Sequence, residues 1–142
     1  MSVERWLAFL EAPVRPAILA TVRADGRPHT APVWYGLDRS GDVPTLLFNT
    51  GERSLKGRNI RRDPQISMCV QDERPPFSYV AVSGTARITD DVADVRRWAG
   101  IIGGRYMGAD RADEYGDRNG VPGELLVRLP AEHVVAYYDV AD

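Results

Sequence analysis

The 142-residue sequence predicts a mainly β fold: a closed or nearly closed antiparallel barrel of six strands, with helices inserted between the strands. The first three predicted strands follow one another directly, and turn sequences such as Asp25-Gly26 favour antiparallel hairpins between them. A doubly wound parallel sheet would need a helix after almost every strand. The length, with 44% hydrophobic and 27% charged residues, is typical of one globular domain over residues 1–142.

The first half of the chain is predicted to hold a helix, three strands and a second helix. Apolar residues on one helical face of residues 1–10 predict an amphipathic helix, which Pro13 and Pro16 end. The three strands are predicted over residues 17–23, 28–37 and 45–50. Because Ser54 has the side chain of an N-cap residue, we predict a helix from there to Asp63-Pro64, where the proline stops it.

The second half is predicted to hold three more strands and two helices. The strands are predicted over residues 65–72, 77–88 and 125–140, the last one bent around Pro130. Between the second and third of these strands, Thr89 or Asp90 is predicted to cap a helix whose end is weakened by Gly103-Gly104. A short helix is predicted to follow over residues 109–118.

Composition and charge argue against several classes of function. A net charge of −2 and a pI near 5.7 argue against a general nucleic-acid binder. The one cysteine, Cys69, cannot form an internal disulfide, which fits a reducing cytoplasm. The sequence shows no signal peptide, no membrane span and no cluster with metal-ligand spacing, so we expect neither a membrane nor a metal partner.

The most informative segment is T-G-E-R-S-L-K-G-R-N-I-R-R-D-P, residues 50–64. It carries five basic residues and no acidic one between Arg53 and Arg62, and Lys56 is the only lysine against seventeen arginines. A helix N-terminus offers unpaired N–H groups and partial positive charge, so Ser54, Lys56 and Arg58 together suggest a phosphate or carboxylate site. An amphipathic surface helix with a solvated basic face explains the same residues equally well.

Other catalytic machinery is missing from the sequence. The two histidines, His29 and His133, lack a partner at recognisable spacing, and neither G-x-G-x-x-G nor G-x-x-x-x-G-K-[ST] occurs. An anion site without an acid, base or nucleophile suggests that a bound cofactor carries the reaction. Trp34, Tyr35, Phe77 and Tyr79 could line a planar ring, or could equally be packing residues.

Four stretches resemble the pyridoxamine-5′-phosphate-oxidase-like split β-barrels. They are A-T-V-R-A-D-G-R-P-H-T-A-P-V-W-Y (residues 20–35), R-S-L-K-G-R-N-I-R-R-D-P (53–64), F-S-Y-V-A-V-S-G-T-A-R-I (77–88) and R-Y-M-G (105–108). The last is similar to a helix end in the actinobacterial deazaflavin branch. The resemblance spans essentially the whole chain, and its specificity lies in the order and spacing of the motifs.

The resemblance implies a homodimer of six-stranded, FMN-binding-type split barrels with two cofactor sites at the subunit interface. It places the cofactor phosphate at Arg53, Ser54, Lys56, Arg58 and Asn59. It places the ring and its polyol chain at Val33, Trp34, Tyr35, Asn49 and Thr50. The same pocket is further lined by Phe77, Ser78, Tyr79 and Val80. No catalytic acid is identified; Tyr35, Tyr79 or solvent could supply a proton.

The implied cofactor is coenzyme F420, with FMN as the alternative. The short chain, the lack of the extended C-terminal segment of true pyridoxamine-phosphate oxidases, and the motifs at residues 53–64 and 105–108 resemble the F420-dependent members. The oligoglutamate tail of F420 could meet Arg58, Arg61 or Arg62, although the last two could also be a solvated helix face. The implied activity is hydride transfer to a small unsaturated organic substrate; a carrier of the cofactor without turnover is the alternative outside the enzyme class.

Overall fold

The computed structural model describes residues 2–142, which form four α-helices and nine strands. The helices are α1 (Val3–Glu11), α2 (Leu55–Arg62), α3 (Val92–Met107) and α4 (Ala112–Asn119), with a 3₁₀ turn at Ala109–Arg111 between the last two. The strands are β1 (Ala17–Val22), β2 (Pro28–Val33), β3 (Gly36–Asp38), β4 (Thr45–Gly51), β5 (Gln65–Gln71), β6 (Tyr79–Thr85), β7 (Arg87–Thr89), β8 (Glu124–Pro130) and β9 (His133–Tyr137).

The strands form two antiparallel sheets that do not close into one barrel. The order in the five-stranded sheet is β2-β1-β5-β6-β9, and in the four-stranded sheet it is β3-β4-β8-β7. The predicted antiparallel fold with inserted helices is confirmed, as a split barrel. The prediction of six strands in a closed or nearly closed barrel is wrong, because three of the predicted strands each bend and contribute to both sheets.

The three bends lie where the chain passes from one sheet to the other. The predicted strand 28–37 divides into β2 and β3, the strand 77–88 into β6 and β7, and the strand 125–140 into β8 and β9. At the third bend, Pro130 is the last residue of β8, and the Ala131 amide donates to the carbonyl of Pro44, the residue before β4. The predicted strand 77–88 also begins later than expected, at Tyr79. Phe77 has a positive φ of 62°, which is incompatible with a strand.

The predicted helix 109–118 divides into the 3₁₀ turn at Ala109–Arg111 and α4, and both boundaries of α3 also differ from the prediction. This helix begins after Asp91 rather than after Thr89 or Asp90, and it continues through Gly103-Gly104 to Met107. A β-carbon at position 103 would lie 2.3 Å from the Cβ of Tyr115 on α4, so the glycine allows close contact between the helices. The Gly103-Gly104 pair is therefore a packing surface inside the helix and not its end.

The main core fills the space between the two sheets and under α1. Its largest side chains include Leu19 and Met68 from the five-stranded sheet, Phe48 and Leu129 from the four-stranded sheet, and Leu10 from α1. A smaller cluster on the other face of the four-stranded sheet packs that sheet against α3; it consists of Leu47, Leu126, Val95 and Trp98. Strands β4 and β8 are thus buried on both faces, which fixes the position of α3 above them.

The outer face of the five-stranded sheet is not covered in the same way. One row of side chains across it is formed by Ile18, Cys69, Ala81 and Val135, which are paired in register across β1, β5, β6 and β9. We call this row the open face. Ile18 is 46% exposed and Val135 is 50% exposed, so the row presents apolar surface to solvent.

Within residues 2–142, no helix has both the length and the apolar character required to span a bilayer.

Candidate functional site

A cavity of about 380 Å³ lies where the end of β2 meets α3, α4 and the first turn of α2. Its strand side is formed by Val33, Trp34 and Asn49, with Glu124 at the start of β8. Its helical side is formed by Ala99, Ile102 and Gly103 of α3, Tyr115 and Asn119 of α4, and Lys56 of α2. The strands and the helices thus each contribute both apolar or aromatic groups and amide or charged groups to the cavity.

The aromatic wall of the cavity is held in a fixed orientation. The Trp34 indole stacks on the Tyr106 ring with centroids 5.0 Å apart, and the Tyr115 ring meets it edge-on at 5.8 Å. The Tyr106 hydroxyl donates to the Arg15 carbonyl at 2.7 Å and accepts from the Tyr35 amide at 3.2 Å. Trp34 keeps 40% of its surface exposed, so the indole offers a preorganised flat surface at the cavity.

The polar side of the cavity contains donors without partners. The Asn49 Nδ2 atom is buried and makes no hydrogen bond among residues 2–142. The Lys56 ammonium makes no ion pair within 4.0 Å in the same part of the chain, although it lines the cavity. A buried donor left without an acceptor is costly, so the cavity is suited to a ligand with acceptor oxygens at this end.

One acidic group lies beside this lysine. Glu124 is the first residue of β8 and is paired in register with Gly51, the last residue of β4. Burial raises the pKa of the Glu124 carboxyl above its ordinary value, and the charge of Lys56 acts in the opposite direction. Glu124 also lines a second, shallower cavity of about 440 Å³ with Arg53 and Ser54, so its carboxyl lies between the two cavities.

The structure brings four predicted residues together in the 380 Å³ cavity: Val33, Trp34, Asn49 and Lys56. Arg53 and Ser54 lie in the adjoining cavity. Ser54 caps α2 as predicted, because its hydroxyl accepts from the Gly57 amide at 3.0 Å. The same hydroxyl donates to the Gly51 carbonyl at 2.8 Å and contacts the buried Thr50 hydroxyl at 2.8 Å, so the hydrogen bonds of Ser54 and Thr50 shape the loop.

The remaining residues of the basic segment point elsewhere. Arg58 is exposed on α2, whereas Asn59 is buried and donates to the Thr21 hydroxyl at 3.0 Å. Arg62 donates to the Val22 carbonyl at 2.6 Å and to Asn59 Oδ1 at 3.0 Å, and Arg61 lies 3.7 Å from Glu52. Asn59 and Arg62 therefore fasten α2 to β1, whereas Arg58 makes no ion pair within 4.0 Å among residues 2–142.

Two of the predicted ring-contacting side chains are in the core. Tyr35 is fully buried, and its hydroxyl donates to the Leu10 carbonyl at 2.6 Å. Burial raises the pKa of Tyr35 to about 12, against a weaker opposing effect of the Arg105 charge. Val80 is also fully buried. Neither residue lines the 380 Å³ cavity, because both face the interior between the sheets.

The segment 77–79, which was also predicted to line the cofactor pocket, does not line this cavity within a single chain. Phe77 is 40% exposed, and the Ser78 hydroxyl accepts from the Asp139 amide at 3.1 Å. Tyr79 packs against Tyr137 across the strand pair, with ring centroids 5.6 Å apart. Phe77 and Ser78 precede β6 and Tyr79 begins it, so the segment lies at one end of the five-stranded sheet that carries the open face.

Sequence reasoning missed the helical half of the site. Glu124, Tyr115 and Asn119 line the cavity because α3 and α4 fold over β4 and β8, a contact between distant parts of the chain. The available signal was the spacing of small residues: Gly100, Gly103 and Gly116 would each carry a β-carbon within 3.3 Å of the facing helix. Glycines so spaced within predicted helices indicate close helix contact.

Among residues 2–142, the structure holds no group of three or more His, Cys, Asp or Glu side chains placed to bind a metal ion.

Comparison with known proteins places this geometry in context. A family model described as pyridoxamine 5′-phosphate oxidase matches residues 3–136. Among solved structures, an F420 reductase is 27% identical over 90% of this chain and 94% of its own, with a TM-score of 0.68. The Mycobacterium tuberculosis protein Rv2991 is 25% identical over 98% of this chain and 86% of its own, with a TM-score of 0.85.

A third similar structure differs in its described role. HutZ, the heme storage protein from Vibrio cholerae, is 17% identical with a TM-score of 0.72, and each chain is covered over its full length, 100%. At this level of identity the similarity concerns the fold alone. The same split barrel is therefore shared by a reductase and by a storage protein, so function depends on the residues of the cavity.

Proposed function

The chain belongs to the pyridoxamine 5′-phosphate oxidase family, and on that basis we propose that it is an F420-dependent oxidoreductase. It would transfer a hydride between the deazaflavin and a small unsaturated organic substrate. Family membership supports an oxidoreductase in general, and the 27% identity to an F420 reductase favours the deazaflavin cofactor. The chemistry of the cavity carries the rest of the proposal.

The observation that carries it is the pairing of an aromatic wall with unpartnered donors in one cavity. The exposed face of Trp34 gives a planar ring a surface for stacking, and Ile102 and Val33 surround it with apolar groups. Lys56 and the orphaned Asn49 Nδ2 lie at the polar end, where a phosphate and a polyol chain present acceptor oxygens. The residues present therefore fit a cofactor of this type.

In this proposal the bound deazaflavin supplies the hydride, and the protein supplies position and exclusion of water. Trp34, held by Tyr106, would set the plane of the ring, and the α3 side chains would shield it from solvent. The Tyr35 hydroxyl is a poor proton donor because it is buried and already donates to the Leu10 carbonyl. Tyr79 or solvent stays the candidate source of the proton.

We further propose that the site is completed by a second copy of the chain. The apolar open face has no covering element within residues 2–142, and Pro32 at its edge also lines the 380 Å³ cavity. A second copy seated on this face would bury Ile18 and Val135, and would bring its own Phe77, Ser78 and Tyr79 toward the cavity. This homodimer explains why the 77–79 segment lies away from the cavity of its own subunit.

FMN is the second candidate cofactor, because the matching family model is that of a flavin-type oxidase. A titration separates the candidates: purified protein is titrated with F420 and with FMN, and binding is followed by fluorescence quenching or calorimetry. Binding of F420 at micromolar concentration or below, with weaker binding of FMN, supports the proposal. A preference for FMN would make the protein a flavin enzyme, and absence of binding by both would overturn the assignment of the cavity.

Turnover then distinguishes an enzyme from a carrier. Reduced F420 is mixed with the protein and a panel of enones and quinones, and oxidation of the cofactor is followed by absorbance. Substrate-dependent oxidation above the rate without protein supports the oxidoreductase. Tight binding of F420 with no turnover of any substrate would favour a carrier in the cytoplasm, where the single cysteine of the chain would stay reduced.

A further inference from the structure

Glu124 is an unexpected group to find next to an anion site. It lines both cavities, beside Lys56 in one and beside Arg53 and Ser54 in the other. No Lys, Arg or His nitrogen within residues 2–142 comes within 4.0 Å of its carboxylate oxygens. The negative charge of this carboxylate repels a bound phosphate, so it would weaken a site that bound phosphate by charge alone.

The backbone holds Glu124 in this position. Glu124 on β8 pairs with Gly51 on β4, and a β-carbon at Gly51 would lie 3.7 Å from Glu124 Oε2. The adjoining turn is closed by the Glu52 amide, which donates to the Gly123 carbonyl at 2.9 Å. The carboxyl therefore lies alongside the backbone that leads directly into the Ser54 cap of α2, and its placement follows from the strand register.

We infer that Glu124 makes the site selective for the charge of the bound phosphate group, favouring a phosphodiester over a terminal phosphomonoester. A phosphodiester carries one negative charge, whereas a phosphomonoester carries between one and a half and two at pH 7, from a second pKa of about 6. In a partly desolvated cavity Lys56 attracts the additional charge and Glu124 repels it, so these two effects offset each other. The greater cost of desolvating the more highly charged monoester then favours the diester.

This inference rests on the proposed function and deepens it. F420 joins its polyol chain to its tail through a phosphodiester, whereas FMN ends in a phosphomonoester. A carboxylate at this position would thus discriminate against FMN without any contact with the ring. The esterified oxygen, which has no charge, could face Glu124 while the charged oxygens face Lys56 and the Asn49 amide.

The test uses two ligands that differ only at the phosphate, where one of them carries an additional methyl ester and therefore less charge. They are 8-hydroxy-5-deazariboflavin 5′-phosphate and its methyl phosphodiester, titrated against the wild-type protein at pH 7.5 and low salt. We expect the diester to bind more tightly than the monoester, by roughly threefold or more. In a purely cationic site the order would be reversed, because the monoester carries more charge, and that order would overturn the inference.

The variant Glu124→Gln keeps the shape of the side chain and removes its charge. We expect it to tighten monoester binding by about tenfold, which corresponds to about 1.4 kcal/mol, and diester binding by less, so that the preference is lost or inverted. Glu52→Gln is the matched control, since Glu52 lies in the neighbouring cavity and outside the 380 Å³ one, and it should leave the ratio unchanged. An unchanged ratio in Glu124→Gln would also overturn the inference.

The experiment distinguishes failure of the proposed function from failure of the inference about Glu124. If the wild-type protein binds neither deazaflavin ligand, the proposed function itself fails, and the inference fails with it. If both ligands bind, the assignment of the cavity to a deazaflavin stands, turnover with reduced F420 tests the oxidoreductase separately, and the order of the two affinities decides the inference about Glu124. The comparison within the wild type needs no variant, so poor folding of Glu124→Gln would leave the inference fully testable.

Discussion

The Trp34 indole lies parallel to the Tyr106 ring, with 5° between their planes. Tyr106 comes from the last turn of α3, whereas Trp34 follows β2, so this pair joins the helical half of the site to the sheet. Since the Tyr106 hydroxyl is fixed by the Arg15 carbonyl, Trp34 rests on a ring that cannot easily shift. The flat wall of the cavity is therefore present before any ligand binds.

Replacing Trp34 with Ala should weaken the binding of F420 and FMN alike, because both would lose the same stacking surface. An aromatic pair contributes about 0.5–1.5 kcal/mol beyond its buried area, so we expect a loss of at least this size in titrations. Trp34→Phe, which keeps a smaller ring, should retain part of the affinity. Equal affinity of the wild type and Trp34→Ala would show that the ring binds elsewhere.

Replacing Lys56 with Ala should weaken cofactor binding by about 1.5–3 kcal/mol, the range for a hydrogen bond to a charged group. Arg58→Ala is the matched control, because Arg58 lies on the same helix but is exposed and outside the cavity. Both variants should unfold at the same urea concentration as the wild type. A larger loss of affinity in Arg58→Ala than in Lys56→Ala would move the anion site to the outer face of α2.

Tyr35→Phe should lower stability without abolishing turnover. The lost hydrogen bond to the Leu10 carbonyl is worth about 0.5–1.5 kcal/mol, and that carbonyl keeps the Arg105 guanidinium as a donor at 2.7 Å. Urea denaturation measures the stability, and Tyr79→Phe, whose hydroxyl makes no hydrogen bond within residues 2–142, serves as control. If Tyr35→Phe abolished kcat while folding normally, Tyr35 would be a proton donor after all.

Glu124 should make stability depend on pH in a direction opposite to that of a typical paired carboxylate. Burial raises its pKa in the folded chain above the ordinary 4.5, so above pH 4.5 the native state holds a proton that the unfolded state has released. Its contribution to stability therefore declines as pH rises through this window. The stability of Glu124→Gln relative to the wild type should increase between pH 4.5 and 7, as measured by urea denaturation.

Glu114 provides a control of opposite sign for that measurement. Its pKa is lowered by hydrogen bonds from the Arg111 guanidinium, so its contribution is present above pH 4.5 and is lost as pH falls. Glu114→Gln should therefore lose stability relative to the wild type as pH rises from acid to about 4.5, and the difference should change little from there to pH 7. Parallel behaviour of the two variants would contradict the described burial of Glu124.

Val135→Glu should convert the proposed dimer to a monomer, because it places a charge on the open face, where the second copy would bury it. Val43→Glu is the matched control: Val43 is 46% exposed, close to the 50% of Val135, but lies in the loop before β4. Sedimentation velocity distinguishes the two outcomes. A wild type that is already monomeric would remove the composite site.

Local signals in the sequence were sufficient for the elements that begin or end at a turn or cap. Asp25-Gly26 correctly predicted the β1–β2 hairpin, and Ser54 with Pro64 correctly bounded α2. The division of strand 125–140 was missed, although the pattern changes at Pro130. Before it β8 is buried on both faces, and after it the side chains of β9 alternate.

The site was predictable only where one strand or loop delivers several of its residues. Trp34 and Lys56 were found because each belongs to a recognisable motif that borders the cavity. The family resemblance placed both Trp34 and Tyr35 beside the ring, but consecutive residues project to opposite sides, and the Tyr35 ring enters the core. Glu124 was missed because nothing near residue 124 in the sequence indicates that its pairing with Gly51 brings it to the same cavity as Lys56 of α2.

Three continuous stretches of chain, β2–β3, β6–β7 and β8–β9, each belong to both sheets. The hydrogen bonds of one sheet cannot break without displacing strands of the other sheet. Neither sheet can therefore unfold independently. Amide protons of both sheets should accordingly exchange with solvent in a single cooperative event. Because the strands are continuous, a ligand bound between β2 and β4 would also increase the protection of distant amides, such as those of β9, against hydrogen exchange.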